Sequence, residues 1–144
     1  MTCIRFTVPG APRGKGRPRA TVRGGRVATY TDAKTASYEA LVALAARDAY
    51  QGPPLEGPVE VTVLVVLPRP ARLRRRCDPT GLIPAPARPD VDNVVKAVLD
   101  GAAALWRDDG QVVDLHASKR YAEADGQPRV EVVVTGAGAA REVG

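Results

Sequence analysis

Apolar Ile4, Phe6 and Val8 alternate with Arg5 and Thr7, the pattern of a half-buried strand, and Pro9-Gly10 ends it. A Gly- and Arg-rich stretch follows to about Tyr30 and reads as a loop. Thr31 or Asp32 then caps a helix with an apolar stripe of Tyr38, Leu41, Val42, Ala45 and Ala49, which Gly52-Pro53-Pro54 stops. Val59, Val61, Val63, Val65 and Leu67 predict a second strand, and Leu64 and Val66 make its later half apolar on both faces. Prolines 68, 70, 79, 84, 86 and 89 hold the next segment open, and loops of that length in compact domains are usually functional or disordered. A second helix is expected from about Asp92 to Trp106, with Val91, Val94, Val95, Val98, Ala102 and Leu105 at core spacing. Asp108-Asp109-Gly110 is a turn. Val113, Leu115, Ala117 and Tyr121 predict a third strand, Ala124–Pro128 a turn, and Val130, Val132 and Val134 a fourth strand.

These elements amount to an α+β fold: a small mixed β-sheet with two main helices packed on it. The 144 residues suit one domain, placed at 1–135, with the Gly/Ala-rich 136–144 expected as a flexible C-terminal tail. No apolar run has the length of a membrane span and no signal peptide opens the chain, so no membrane partner is expected. Two cysteines, Cys3 and Cys77, make no disulfide framework and point to the cytoplasm. The single histidine, His116, excludes paired-His metal motifs, and neither Ser37 nor Ser118 stands in a nucleophile elbow. Trp106, which closes a helix, reads as core. Carboxylate and arginine are what remain in quantity.

Charge divides the chain. Segments 13–26 and 69–88 hold 12 of the 21 basic residues and one acid, Asp78, a net +11, while the remainder carries −6. Two basic segments on an acidic body suggest a surface that follows phosphates, with Lys15, Arg17, Arg19, Arg74, Arg75, Arg76 and Arg88 as the candidate DNA contacts. The alternative is two solvated Arg-rich loops.

The acids gather where the second helix begins, in Arg88-Pro89-Asp90-Val91-Asp92-Asn93-Val94-Val95-Lys96. Asp92 and Lys96 share a helix face, Asp100 continues it, and Asp108 and Asp109 follow the helix. Asp90, Asp92 and Asp109 could therefore meet as hard oxygen ligands, which suit Mg²⁺, with Mn²⁺ as a substitute, rather than zinc. Phosphodiester hydrolysis develops charge that such an ion neutralises and that a nearby lysine steadies. The plainer reading makes Asp90 or Asp92 an N-cap and Asp92–Lys96 a surface pair worth about 0.3–0.5 kcal/mol. An arginine tract leading directly into the acids is what a cap alone does not require.

The run R-P-D-V-D-N-V-V-K-A-V-L-D, followed by W-R-D-D-G-Q-V-V-D, resembles the RusA family of Holliday-junction resolvases, common in phages and prophages. K-G-R-P-R at 15–19 and Tyr30-Thr31 before a helix add to the likeness, which extends from about Ile4 to Val134. The resemblance implies a homodimeric, Mg²⁺-dependent endodeoxyribonuclease that resolves four-way junctions, acting in the cytoplasm of a bacterial host and encoded there or by a phage. Position by position, the family's acidic metal-binding residues match Asp90, Asp92 and Asp109, and its essential lysine matches Lys96. Asp100 and Asp108 match further acidic positions without an assigned role. The Pro-rich 77–89 stretch and the arginines before it depart from the pattern. Two rival readings are a non-catalytic basic DNA-binding protein and a metal-dependent RNase.

Overall fold

The computed structural model describes residues 1–15, 19–30 and 33–137, with backbone alone for 19–23, 26–30 and 137. Seven strands and two long helices follow in the order β1 (Thr2–Pro9), β2 (Arg19–Arg23), β3 (Arg26–Tyr30), α1 (Ala33–Ala49), β4 (Glu56–Leu67), β5 (Ile83–Pro84), α2 (Val91–Gly101), β6 (Val112–Tyr121) and β7 (Arg129–Ala137). The main sheet runs β1-β7-β4-β6-β5, with β4 and β6 parallel and the other neighbours antiparallel. It is a mixed sheet carrying two helices, as the sequence patterns imply.

Alternation does the sorting in the central strands. Ile4, Phe6 and Val8 of β1, Val59, Val61, Val63 and Val65 of β4, and Val130, Val132 and Val134 of β7 all point into one core. Each fully buried Val contributes about 1.5–3 kcal/mol by leaving water. Val66 and Leu67 are also buried, so β4 ends covered on both faces. Helix α1 adds Tyr38, Val42 and Ala46. Ala49, expected on its apolar stripe, is exposed, and Ala46 takes that place. The expected caps Thr31 and Asp32 lie outside the described residues.

Four expectations need correction. The basic stretch before Tyr30 is not all loop: β2 and β3 pair across Gly24-Gly25, whose φ values of +55° and +77° suit a two-residue hairpin turn. Helix α2 stops at Gly101, and a 3-10 turn over Ala103–Leu105 delivers the buried Trp106. The Pro-rich segment is ordered around Arg69, a residue only 3% exposed, whose guanidinium donates to the carbonyl oxygens of Leu73, Gly81 and Pro79. Arg69 is thus an internal tie of that loop rather than part of a phosphate-facing surface. Finally, β7 continues through Gly136 to Ala137, so the expected tail overlaps a strand, and its remainder from 138 on lies outside the described residues.

Gly101 brings the helices together. A Cβ there would lie 2.6 Å from Val42 Cβ and 2.7 Å from the Glu39 carbonyl oxygen, so only glycine lets α1 approach so closely. That approach carries Glu39 toward Asp100.

Candidate functional site

Helix α2 carries the site along one face. Val94, Val95, Ala97 and Val98 are buried and fix its rotation, which leaves Asp92, Lys96 and Asp100 exposed at successive turns. Asp90 occupies the N-cap position, yet its side chain makes no capping hydrogen bond. Asp92 and Lys96 form no ion pair with each other. The two plain readings, cap and surface pair, therefore both fail in the geometry. Among the described residues, the carboxylates of Asp90 and Asp92 and the ammonium of Lys96 are uncommitted.

A cavity of about 380 Å³ opens beside Lys96, lined by Lys15, Leu99, Asp100, Trp106, Asp109 and Val112. Trp106, 3% exposed, directs its indole N–H toward Asp109 Oδ1 at 3.4 Å and so holds that carboxylate at the cavity wall. The neighbouring Asp108 has a different task. It caps the 3-10 turn Asp109–Gln111, accepting from Gly110 N at 3.1 Å, while Gln111 Oε1 accepts from Asp108 N at 2.7 Å. Gln111 Nε2 then donates to the carbonyl oxygens of Leu55 and Gly57, 2.9 and 3.0 Å away, tying this turn to the start of β4.

Lys15 reaches the same cavity from the N-terminal segment, whose backbone is docked by Lys15 N on the Asn93 carbonyl oxygen at 2.9 Å. Its ammonium pairs with Asp100 and, at 3.1 Å, with Glu39. Its hydrogen bond to Asp100, and then its pairing with Glu39, hold the Lys15 pKa above the ordinary lysine value. Its charge is matched inside the protein. Arg17 lies outside the described residues, and Arg19 is placed only by its backbone in β2. Arg74 donates to the Arg69 carbonyl oxygen at 3.2 Å, Arg75 pairs with Asp78 at 3.3 Å, and Arg76 and Arg88 are exposed.

Two contributors were not legible in the motif. Glu39 comes from α1. Lys119 comes from β6, and its Nζ donates to the Pro89 carbonyl oxygen at 2.9 Å and to that of Ala87. The backbone adds Ala85 N to the Lys119 carbonyl oxygen at 3.4 Å. Lys119 thus anchors the strap that ends at Asp90. No local spacing signals it, because the partners are carbonyls some thirty residues away in the chain.

Among the described residues, no three His, Cys, Asp or Glu side chains gather into a group that could hold a metal, so Asp90, Asp92 and Asp109 do not form a preassembled cage. The donors still suit Mg²⁺. They are hard oxygens, Asp90 is left uncapped, and Mg²⁺ typically takes only one or two carboxylates while water and substrate phosphates fill the other positions.

Residues 9–135 match the family profile described as endodeoxyribonuclease RusA. The chain is also 40% identical over 140 residues to "Uncharacterized protein YqaN" of Bacillus subtilis (strain 168), covering 93% of this chain and 96% of that one. With uncommitted acids and a lysine on one helix face, and a match across most of its length, this chain belongs to the RusA family of endodeoxyribonucleases.

Proposed function

We propose that the protein is a Mg²⁺-dependent, structure-selective endodeoxyribonuclease that resolves four-way DNA junctions by paired symmetric nicks, working as a homodimer in the cytoplasm. The observation that carries this reading is the row of unpaired charges on α2. Asp90 and Asp92 face outward without internal partners, and Lys96 sits one turn on beside Asp109's cavity. Charges left unmatched in the free protein are available to an external ligand, whereas internal scaffolding consumes them, as Asp100 and Asp108 show.

Asp90, Asp92 and Asp109 would hold the metal, which supplies charge neutralisation at the phosphate and activation of water. Lys96 places a compact positive charge where the scissile phosphate gains negative charge. Arg76, Arg88 and the β2–β3 hairpin offer contacts to the phosphates of the arms. Two symmetric cuts require two such sites, and a two-fold dimer is the smallest assembly that supplies them.

The deciding experiment incubates the protein with a labelled four-way junction, a linear duplex of the same sequence and an RNA, with Mg²⁺ and with EDTA. Paired nicks in the junction alone, abolished by EDTA, are expected. Junction binding without any cut in Mg²⁺ would make this a DNA-binding protein, and preferential cutting of RNA would make it an RNase.

A further inference from the structure

Asp100 passes over a near partner for a distant one. Lys96 stands one turn before it on α2, at the i, i+4 spacing where opposite charges pair on a helix. Both side chains line the same cavity. Yet Asp100 pairs with Lys15, 85 residues away in the chain. Among the described residues, no ion pair joins Asp100 to Lys96.

Two close approaches bring the distant partner in. Gly14 lies against the entry to α2, where a Cβ on it would stand 3.1 Å from Asn93 Cβ and 3.4 Å from Pro89 Cβ. Lys15 N then donates to the Asn93 carbonyl oxygen at 2.9 Å, which fixes this segment on the first turn of α2. From the other side, the packing of Gly101 on α1 brings Glu39 to 3.1 Å from the same ammonium. The side chains of Lys15, Glu39 and Asp100 are between 22% and 45% exposed, so salt screens the cluster only in part. A lysine held by two internal carboxylates is poorly placed to grip a phosphate as well.

The charges around the cavity show what Lys15 does instead. Lys15 and Lys96 are the two ammonium groups that line it. Without Lys15, Asp100 and Glu39 would lose their shared cation, and Lys96 would be the ammonium left to draw Asp100. A Lys96 drawn toward Asp100 is turned away from a phosphate.

We infer that Lys15 is a positioning residue: by engaging Asp100 and Glu39, it keeps the Lys96 ammonium free for the scissile phosphate. The inference rests on the role proposed above for Lys96 in cleavage. It adds a requirement absent from the linear motif, since the motif's lysine is available only because another lysine occupies its helix neighbour.

The test is single-turnover cleavage of a saturating four-way junction in Mg²⁺ at low salt, where saturation removes effects on affinity. Lys15→Met should lower the rate about fivefold, the size of about 1 kcal/mol that unit charges about 4 Å apart exchange in water. Adding Asp100→Asn should restore most of the loss by removing the competitor for Lys96. Adding Asp48→Asn instead, the same charge change at an exposed position outside the cavity, should not. Lys15→Arg keeps a cation between the carboxylates and should cut near the original rate. A second readout needs no cleavage: acylation of Lys96 by an amine-reactive ester, followed by mass spectrometry with Lys34 as reference. It should slow about two- to fivefold in Lys15→Met, because a paired ammonium holds its proton, and recover with Asp100→Asn. Unchanged cutting and labelling in Lys15→Met would overturn the inference, as would a loss that Asp100→Asn does not restore. If the unsubstituted chain cuts nothing, the nuclease reading fails and the labelling still decides whether Lys15 keeps Lys96 free. Should Lys15→Met not fold, Lys15→Gln takes its place in both assays.

Discussion

The two ends of helix α2 use the same amino acid for opposite purposes. At the start, Asp90 and Asp92 make no internal ion pair, and Asp90 forgoes its cap. At the far end the acids are engaged: Asp100 by Lys15, Asp108 by Gly110, and Asp109, less tightly, by Trp106. Charge that the fold consumes builds shape, and charge that it leaves over is available to a ligand. Asp109 stands between these cases, since a single 3.4 Å hydrogen bond orients it without filling its lone pairs.

The contrast breaks most sharply at Asp92. Asp92→Asn should abolish junction nicking while preserving both the melting temperature and junction binding, as gel shift beside a cleavage time course would show. Nicking at the unsubstituted rate would place Asp92 with the structural acids. Lys96→Ala should come next, with kcat lower by about 10²–10³ in single-turnover cleavage of a saturating junction. Lys96→Arg should not restore it, because a planar fork does not replace a point charge. A folded Ala variant that cuts within a few-fold of the original would return Lys96 to the surface.

Lys119→Met sharpens the comparison from behind the site. Loosening the Ala87–Pro89 strap should displace Asp90 and cost about 10–100-fold in activity, the range seen when an outer support of a metal ligand is lost. The Mg²⁺ concentration needed for half-maximal cutting should rise with it, whereas a role confined to stability would move only the melting temperature. Smallest is Asp108→Ala. Removing that cap should lower stability by about 1 kcal/mol in urea unfolding and leave the chemistry nearly intact.

The sequence was most readable where burial follows simple alternation, as in β1, β4 and β7. It misled where burial depends on what covers a strand: Leu115 alternates as well as Val61 does, yet it is 45% exposed. The β2–β3 hairpin was obscured by its arginines, although Gly24-Gly25 between Val22 and Val27 was the available signal. Within the candidate site, the linear motif brought out Asp90 at the N-cap of α2, Asp92 and Lys96 on it, and Asp109 in the turn that follows. Glu39 and Lys119 were hidden because a side chain that supports the site across the fold leaves no spacing in the chain. Lys15 was read by charge as a DNA contact, and only tertiary structure shows that charge matched.

The strand order also governs how this domain emerges from a ribosome. β7, the last of the described strands to be synthesised, lies between β1 and β4, and its ladder joins Thr2 to Gly136. Until β7 arrives, β1 has no neighbour in the sheet and β4 has one side unpaired. Pairings so distant in sequence are slow to close, and the waiting strand edges are open to other chains meanwhile. The described sheet is therefore complete only once β7 has been made, and β1 stays unpaired until then.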